Sequence, residues 1–278
     1  MEAYIDDMVV KSKKVEEHLA DLAEMFSILR EHKLRLNASK CSFGVSSGKF
    51  LGYRITHCGI EVNPERIKAI NSLHSPRNLK EVQRLTRMTV ALNRFISQSA
   101  DKCRPFFQLL HKWKDFQWIE EFVTAFEDLK QYLSNPSILS QPDKEEVLYV
   151  YLAVTKHTIS FVLVKNEDRI QRLIYYVSKS LQKVKTRYLP LEKAVLAIVH
   201  TTRKLPHYFQ AHIVVVLTQL PLQALPRKSD YTSRIPKWGT KFGAYDFKYK
   251  ITHRGIEVNP EQIRAINGLH PPRNPKEV

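Results

Sequence analysis

The stretch Ala3-Tyr4-Ile5-Asp6-Asp7-Met8-Val9-Val10 sets two adjacent carboxylates between two short apolar runs. That pattern reads as two β-strands meeting at a tight acidic turn. Neighbouring aspartates repel each other, so a hairpin tip gains nothing from holding them together unless a cation lies between them. Hard carboxylate oxygens are what Mg²⁺ takes as ligands, which makes Asp6 and Asp7 candidate metal ligands. A solvated Asp-Asp turn is the competing reading, and the chain that follows decides between the two.

Residues 12–33 place Val15, Leu19, Leu22, Phe26 and Leu29 on one face of a helix, with charges opposite. Leu34-Arg35-Leu36 alternates like a strand, Asn37-Ala38-Ser39-Lys40 turns the chain, and residues 50–55 read as another strand that Gly59 ends. Asn63-Pro64-Glu65 then opens a helix with Ile67, Ile70 and Leu73 as its stripe, stopped by Pro76. Asn78-Leu79-Lys80-Glu81 has the spacing of a capping box for a second helix, which carries Val82, Leu85, Val90 or Leu92, and Phe95 inside and Arg84, Arg87 and Arg94 among them. This helical pair contrasts with the sheet-rich part before it and reads as a small subdomain. A further helix spans residues 120–133 with Phe122, Phe126 and Leu129 inward, preceded by Trp113, Phe116 and Trp118, which read as core aromatics with a base-stacking platform as the alternative.

Beyond Gln141-Pro142-Asp143 the period changes. Residues 147–154, 159–164 and 170–177 are strand-like, 189–204 is helical with Val195, Ile198, Val199 and Thr202 inward, and 211–217 is again a strand. The order β-β-β-α-β-α identifies a mixed sheet with helices on its faces. No strand is followed by a Gly-rich turn, so nucleotide cradles of the Rossmann or P-loop kind are unsupported. Residues 251–278 repeat residues 55–82 with six differences over 28 positions, a duplicated fragment read as having no function of its own.

Composition bounds the function classes. The 278 residues are 43% apolar and 10% aromatic, as in a globular protein with room for two modest domains. Lys and Arg number 44 against 28 Asp and Glu, and the resulting charge of +16 is spread along the chain, which suits a surface that tracks a polyanion. Cys41, Cys58 and Cys103 form no paired spacing, so neither a disulfide framework nor a zinc module is expected. His57, His74, His200, His207 and His212 lack metal-ligand spacing. Neither a signal peptide nor an apolar run long enough to span a bilayer is visible, and the expectation is a soluble intracellular chain, cytoplasmic or nuclear.

Taken together these motifs resemble the middle of the Pol polyprotein of gypsy-class LTR retrotransposons. Tyr4-Ile5-Asp6-Asp7 is similar to the reverse transcriptase catalytic box, Leu36 through Phe43 to the motif that follows it, and Phe50-Leu51-Gly52-Tyr53 to the primer grip. Gly59 through Pro64 and Leu92 through Ser97 resemble the thumb, and Phe116-Gln117-Trp118 with Ala125 through Lys130 the connection. Tyr175-Tyr176-Val177-Ser178-Lys179, Thr186-Arg187-Tyr188 with Glu192-Lys193, and Leu217-Thr218 are similar to the RNase H domain. The fold implied is α/β (α+β): a partial palm at 1–62, a helical thumb at 63–110, a connection at 111–145, an RNase H-like mixed sheet with flanking helices at 146–250, and the partial duplicate at 251–278.

The resemblance implies RNA-directed DNA polymerase and RNA–DNA hybrid ribonuclease chemistry with Mg²⁺, in which several converging carboxylates hold two metal ions. By that correspondence Asp6, Asp7 and Lys40 are polymerase residues, with Lys40 near the nucleotide phosphates. Glu192 is the RNase H helix glutamate, and Gly52, Tyr53, Arg84 and Arg94 are nucleic-acid contacts. Departures accompany the matches. The palm strand with a third Asp has no counterpart before Asp6, so the pair is expected to hold metal weakly unless another chain supplies the missing half. Ala153 stands where the first-strand Asp belongs, Thr218-Gln219 replaces a Thr-Asp, and Arg87 stands where the thumb usually has Gly. The expectation is a catalytically silent domain. A non-catalytic, basic nucleic-acid-binding remnant is the alternative.

Overall fold

The acidic turn is built as a hairpin: Glu2–Tyr4 (β1) pairs antiparallel with Asp7–Val9 (β2), with Tyr4 opposite Asp7. The structure is a computed structural model that describes residues 2–4, 7–12, 14–111, 119–168, 170–182, 184–218, 220 and 247–251. Two compact units divide the chain, Met1–Asn63 and Pro64–Val278. Asp6, Trp113, Phe116, Trp118, Gln219 and the repeat beyond Ile251 lie outside the described residues.

In the first unit, α1 runs Val15–Glu31, with Glu16 and Glu17 in the first turn where the helix dipole favours them. Its buried side chains are Met25 and Leu29, while Val15 and Leu19 of the expected apolar face are exposed. The helix closes through two reciprocal bonds, Lys33 N–H to Arg30 O at 3.1 Å and Leu34 N–H to Leu29 O at 2.8 Å, with Lys33 left-handed at φ 53°. Residues 34–36 are therefore the exit of this cap, not the expected strand, and both leucines are exposed. Asn37 then turns the chain as read, its Oδ1 accepting from Ser39 N–H at 3.2 Å.

The single strand expected over 50–55 is in fact two. Gly48–Phe50 (β3), Tyr53–Thr56 (β4) and Gly59–Val62 (β5) form an antiparallel meander, with Phe50 opposite Tyr53. Leu51 and Gly52 both have positive φ, 51° and 74°, the two-residue geometry whose twist matches the flanking strands. Gly59 opens β5 rather than ending a strand.

The second unit begins with α2 (Pro64–Asn71) and α3 (Leu79–Ala91). The cap of α3 is reciprocal, with a shift of one residue. Asn78 Oδ1 accepts from Glu81 N–H at 3.0 Å, while the Glu81 carboxylate accepts from Arg77 N–H at 2.7 Å. After a 3-10 turn at Asn93–Phe95 come α4 (Ser99–Lys102), α5 (Arg104–His111) and α6 (Glu120–Ser134). Ile70, Val82, Leu85, Leu92, Phe95 and Phe126 are fully buried at 0% exposure and form the helical core.

Leu148–Val154 (β6), Thr158–Glu167 (β7) and Ile170–Ser180 (β8) are antiparallel, and Val214–Thr218 (β9) and Phe247–Ile251 (β10) extend the sheet in parallel, in the order β10-β9-β6-β7-β8. A parallel neighbour for β6 requires a crossover, supplied by α7 (Pro190–Lys204) and α8 (Pro206–Ala211). Ala211, expected in the strand, ends α8 instead, because Pro206 starts a new helix directly after Leu205.

Strand β7 is buried along nearly its whole length, with α7 packed on it and helix α4 reaching it as well. Ala100 N–H donates to Ser178 Oγ at 3.1 Å, Thr158 Oγ1 donates to Asp101, and Ser97 N–H donates to Tyr132 Oη at 3.0 Å. The helices after Pro64 thus share one unit with the sheet and are not a detached subdomain.

Two measurements check this packing. Phe126→Ala should lower stability by about 3–5 kcal/mol in urea unfolding, and Leu34→Ala by less than about 0.5 kcal/mol. Burial pushes the Cys103 thiol up to about 12, so a thiol reagent at neutral pH should modify exposed Cys58 readily and Cys103 only after unfolding.

Candidate functional site

The catalytic correspondences of the RNase H-like region converge on one end of the five-stranded sheet, where β6 and β9 finish side by side and α7 begins. Parallel pairing sets Tyr151 beside Leu217, which brings Ala153 and Thr218 to the same end. Ala153 offers only a methyl group, opposite Ser160 of β7. Thr218 is buried, and its Oγ1 accepts from Leu220 N–H at 3.1 Å.

Glu192 and Lys193 lie in the first turn of α7, both buried, at 7% and 6% exposure. A carboxylate there is favoured by the helix dipole and by donors that have no partner within the helix. Glu192 Oε2 accepts from Leu189 N–H at 2.9 Å, the acidic half of a capping box. Lys193 Nζ donates to the carbonyls of Thr155 and Lys156, each at 3.1 Å, and ties the β6–β7 connection to α7. His157, in that same connection, has its pKa lowered by partial burial and by Arg104, Lys156 and Lys193, against which Asp101 alone acts in the other direction.

A pair of Mg²⁺ ions does not fit these residues. A two-metal centre needs several carboxylates converging on one point, and here the described donors are one carboxylate already capping a helix, a hydroxyl and two carbonyls held by an ammonium. Bringing a divalent ion within about 5 Å of that ammonium would cost on the order of 5 kcal/mol. Among the described residues no cluster of three His, Cys, Asp or Glu could hold a metal ion.

The other candidates are placed as follows. Asp7 opens β2, and its side chain, like Asp6, is outside what the structure describes. Lys40 is exposed at the end of the 3-10 turn Ala38–Lys40. Gly52 and Tyr53 form the turn and the first residue of β4. Arg84 is exposed on α3. Arg94 differs: it is half-buried, with its guanidinium carbon 4.8 Å from the centroid of the Tyr175 ring, so it packs the helices against β8. Lys193 was noticed in the sequence only as the neighbour of Glu192. No local signal marks a lysine as bound to carbonyls at the far end of a strand.

Known proteins resemble this chain in sequence and in fold. Residues 118–216 match the family described as an RNase H-like domain found in reverse transcriptase, and residues 1–55 match reverse transcriptase (RNA-dependent DNA polymerase). The chain carries reverse transcriptase and RNase H-like domains. Among curated relatives, the retrovirus-related Pol polyprotein from transposon 297 of Drosophila melanogaster is 29% identical over 88% of this chain and 23% of that protein. The transposon Tf2-3 polyprotein of Schizosaccharomyces pombe is 26% identical over 92% of this chain and 20% of that protein. The chain thus spans about a quarter or less of the length of these relatives. Among solved structures, the foamy viral protease-reverse transcriptase in complex with RNA/DNA hybrid superposes with a TM-score of 0.75 at 21% identity, over 89% of this chain and 35% of that one, a likeness of fold. No helix among the described residues is long and apolar enough to cross a membrane.

If Lys193 secures the RNase H-like sheet to α7, Lys193→Met leaves two carbonyls without their donor. Its stability in urea should fall by about 1–3 kcal/mol, while Lys144→Met, in the exposed loop before β6, should change it by less than about 0.5 kcal/mol.

Proposed function

We propose that this chain is part of a gypsy-class retrotransposon Pol polyprotein whose RNase H-like domain binds nucleic acid without cleaving it. In this reading residues 1–62 correspond to palm, 63–110 to thumb, 111–145 to connection and 146–250 to the RNase H-like domain. The observation that carries it is the pair at the start of α7: Glu192 caps its own helix and Lys193 occupies the carbonyls at the end of β6. Enzymes of these families work with divalent metal ions, and every lost carboxylate should cost orders of magnitude in rate. What remains is a basic surface on a fold that, in the foamy viral structure, is seen with RNA/DNA hybrid.

Asp6 and Asp7 would be the Mg²⁺ ligands of the polymerase domain, with Lys40 beside the incoming phosphates and Gly52 and Tyr53 along the primer strand. Arg84 would add a phosphate contact from the thumb. Arg94 is better assigned to packing on Tyr175.

The test uses a labelled RNA–DNA hybrid. The chain should bind it at low salt, lose affinity steeply as salt rises, and with Mg²⁺ or Mn²⁺ cleave no more than a Glu192→Gln variant does. Metal-dependent cleavage abolished by that substitution would overturn the proposal.

A further inference from the structure

Toward the β8 edge of the sheet, one face of the second unit gathers cations with no opposing carboxylate among the described residues. From Lys179 to Lys204 the sequence has seven Lys and Arg and one acid, Glu192, whose carboxylate faces Leu189 N–H. His200 lies half-buried on α7 at the centre of this face. Among the described residues every charged group that acts on it is a cation: Lys179 from the end of β8, Lys204 and Arg203 from its own helix, and Lys185 from the 3-10 turn Lys185–Arg187. Burial first, and then these cations, push its pKa down to about 4. Beside them Tyr175 is flanked by Arg94 at 4.8 Å and by Lys204 Nζ at 5.9 Å from its ring centroid.

Part of this has a plain structural reason. Arg203 and Lys204 occupy the last turn of α7, where the helix dipole favours cations. That explanation does not reach Lys179, on a strand, or Lys185, in a turn. A fold gains nothing from holding like charges together around a neutral imidazole. A polyanion laid across them converts the repulsion into attraction and releases its own counterions.

We propose that the end of β8, the Lys185–Arg187 turn and the C-terminal half of α7 form the surface that receives the phosphate backbone of an RNA–DNA hybrid. The inference rests on the preceding reading that this chain binds nucleic acid, and it says where. Its groups are ammonium and guanidinium ions, with the one aromatic ring already flanked by two of them. Binding is therefore by charge, without sequence preference. Phosphate placed among the cations also favours a proton on His200, so complex formation takes up a proton there.

The experiment is fluorescence anisotropy of a labelled hybrid with the full chain across a salt series. The variant K179E/K185E/R203E is compared with the charge-matched K68E/K80E/K144E, whose sites are exposed on α2, on α3 and in the loop before β6. A neutral K179Q/K185Q/R203Q variant is run beside them, and far-ultraviolet circular dichroism checks that each is folded. The first variant should lose about tenfold or more in affinity at moderate salt and lower the salt slope by about 2 to 3, with the neutral variant between. The control triple should lose less than about threefold, as a change in net charge alone requires. Lowering the pH from 7.5 to 5.5 should tighten binding by the wild-type chain more than by His200→Gln.

Equal loss in both glutamate triples would overturn the assignment of this face while leaving nucleic-acid binding intact. The same holds if His200→Gln leaves the pH response unchanged. Displacement of the hybrid by poly-glutamate at equal charge concentration would overturn the choice of nucleic acid as partner. A wild-type chain that does not bind hybrid even at low salt would overturn the earlier reading and this one together.

Discussion

The parallel pairing of β6 with β9 is the constraint on which the second unit depends. Two strands side by side in the same direction cannot be joined by a hairpin, so the chain must leave β8, cross the sheet and return. Helix α7 makes that crossing and buries Ala194, Val195, Ala197 and Ile198 against the sheet. The start of α7 is thereby fixed beside the ends of β6 and β9. Whatever charges stand there meet at one place. In this chain they are a carboxylate turned to its own helix and an ammonium holding the β6–β7 connection.

Several converging acids carry a like-charge problem whenever no metal balances them. Here Ala153 and Thr218 are uncharged, and Lys193 donates to the backbone carbonyls of Thr155 and Lys156. Elsewhere in the domain Lys165 pairs with Asp143 and Glu146 and Arg172 with Glu167, while Lys179, Lys185, Arg203 and Lys204 gather on the face around His200.

Much of the second unit was legible in the sequence because its strands are long apolar runs rich in β-branched and aromatic residues. The segment 147–154 loses one residue and 170–177 needs only a short extension, and the α7 boundary is written in Pro190 and Glu192. The hairpin at Leu51-Gly52 was not legible: every residue around it favours a strand, and a leucine at φ 51° carries no local mark. Residues 34–36 failed for the opposite reason, since their alternation belongs to a helix cap and not to a ladder. The roles of Arg94 and Lys193 depend on Tyr175 and on Thr155 and Lys156, partners far along the chain that no local pattern connects to them. Motif resemblance singled out Glu192, but only geometry gave its place at the start of α7 and its hydrogen-bond partner.

The central claim is that the protein's own groups fill the metal end of the RNase H-like domain. An electron paramagnetic resonance titration of Mn²⁺ into the full chain, beside Glu192→Gln, tests it most directly. Any Mn²⁺ held by Asp6 and Asp7 would bind both proteins alike. The account predicts identical bound-metal isotherms for the two. A stoichiometric Mn²⁺ present in the wild-type chain and absent from Glu192→Gln would contradict it.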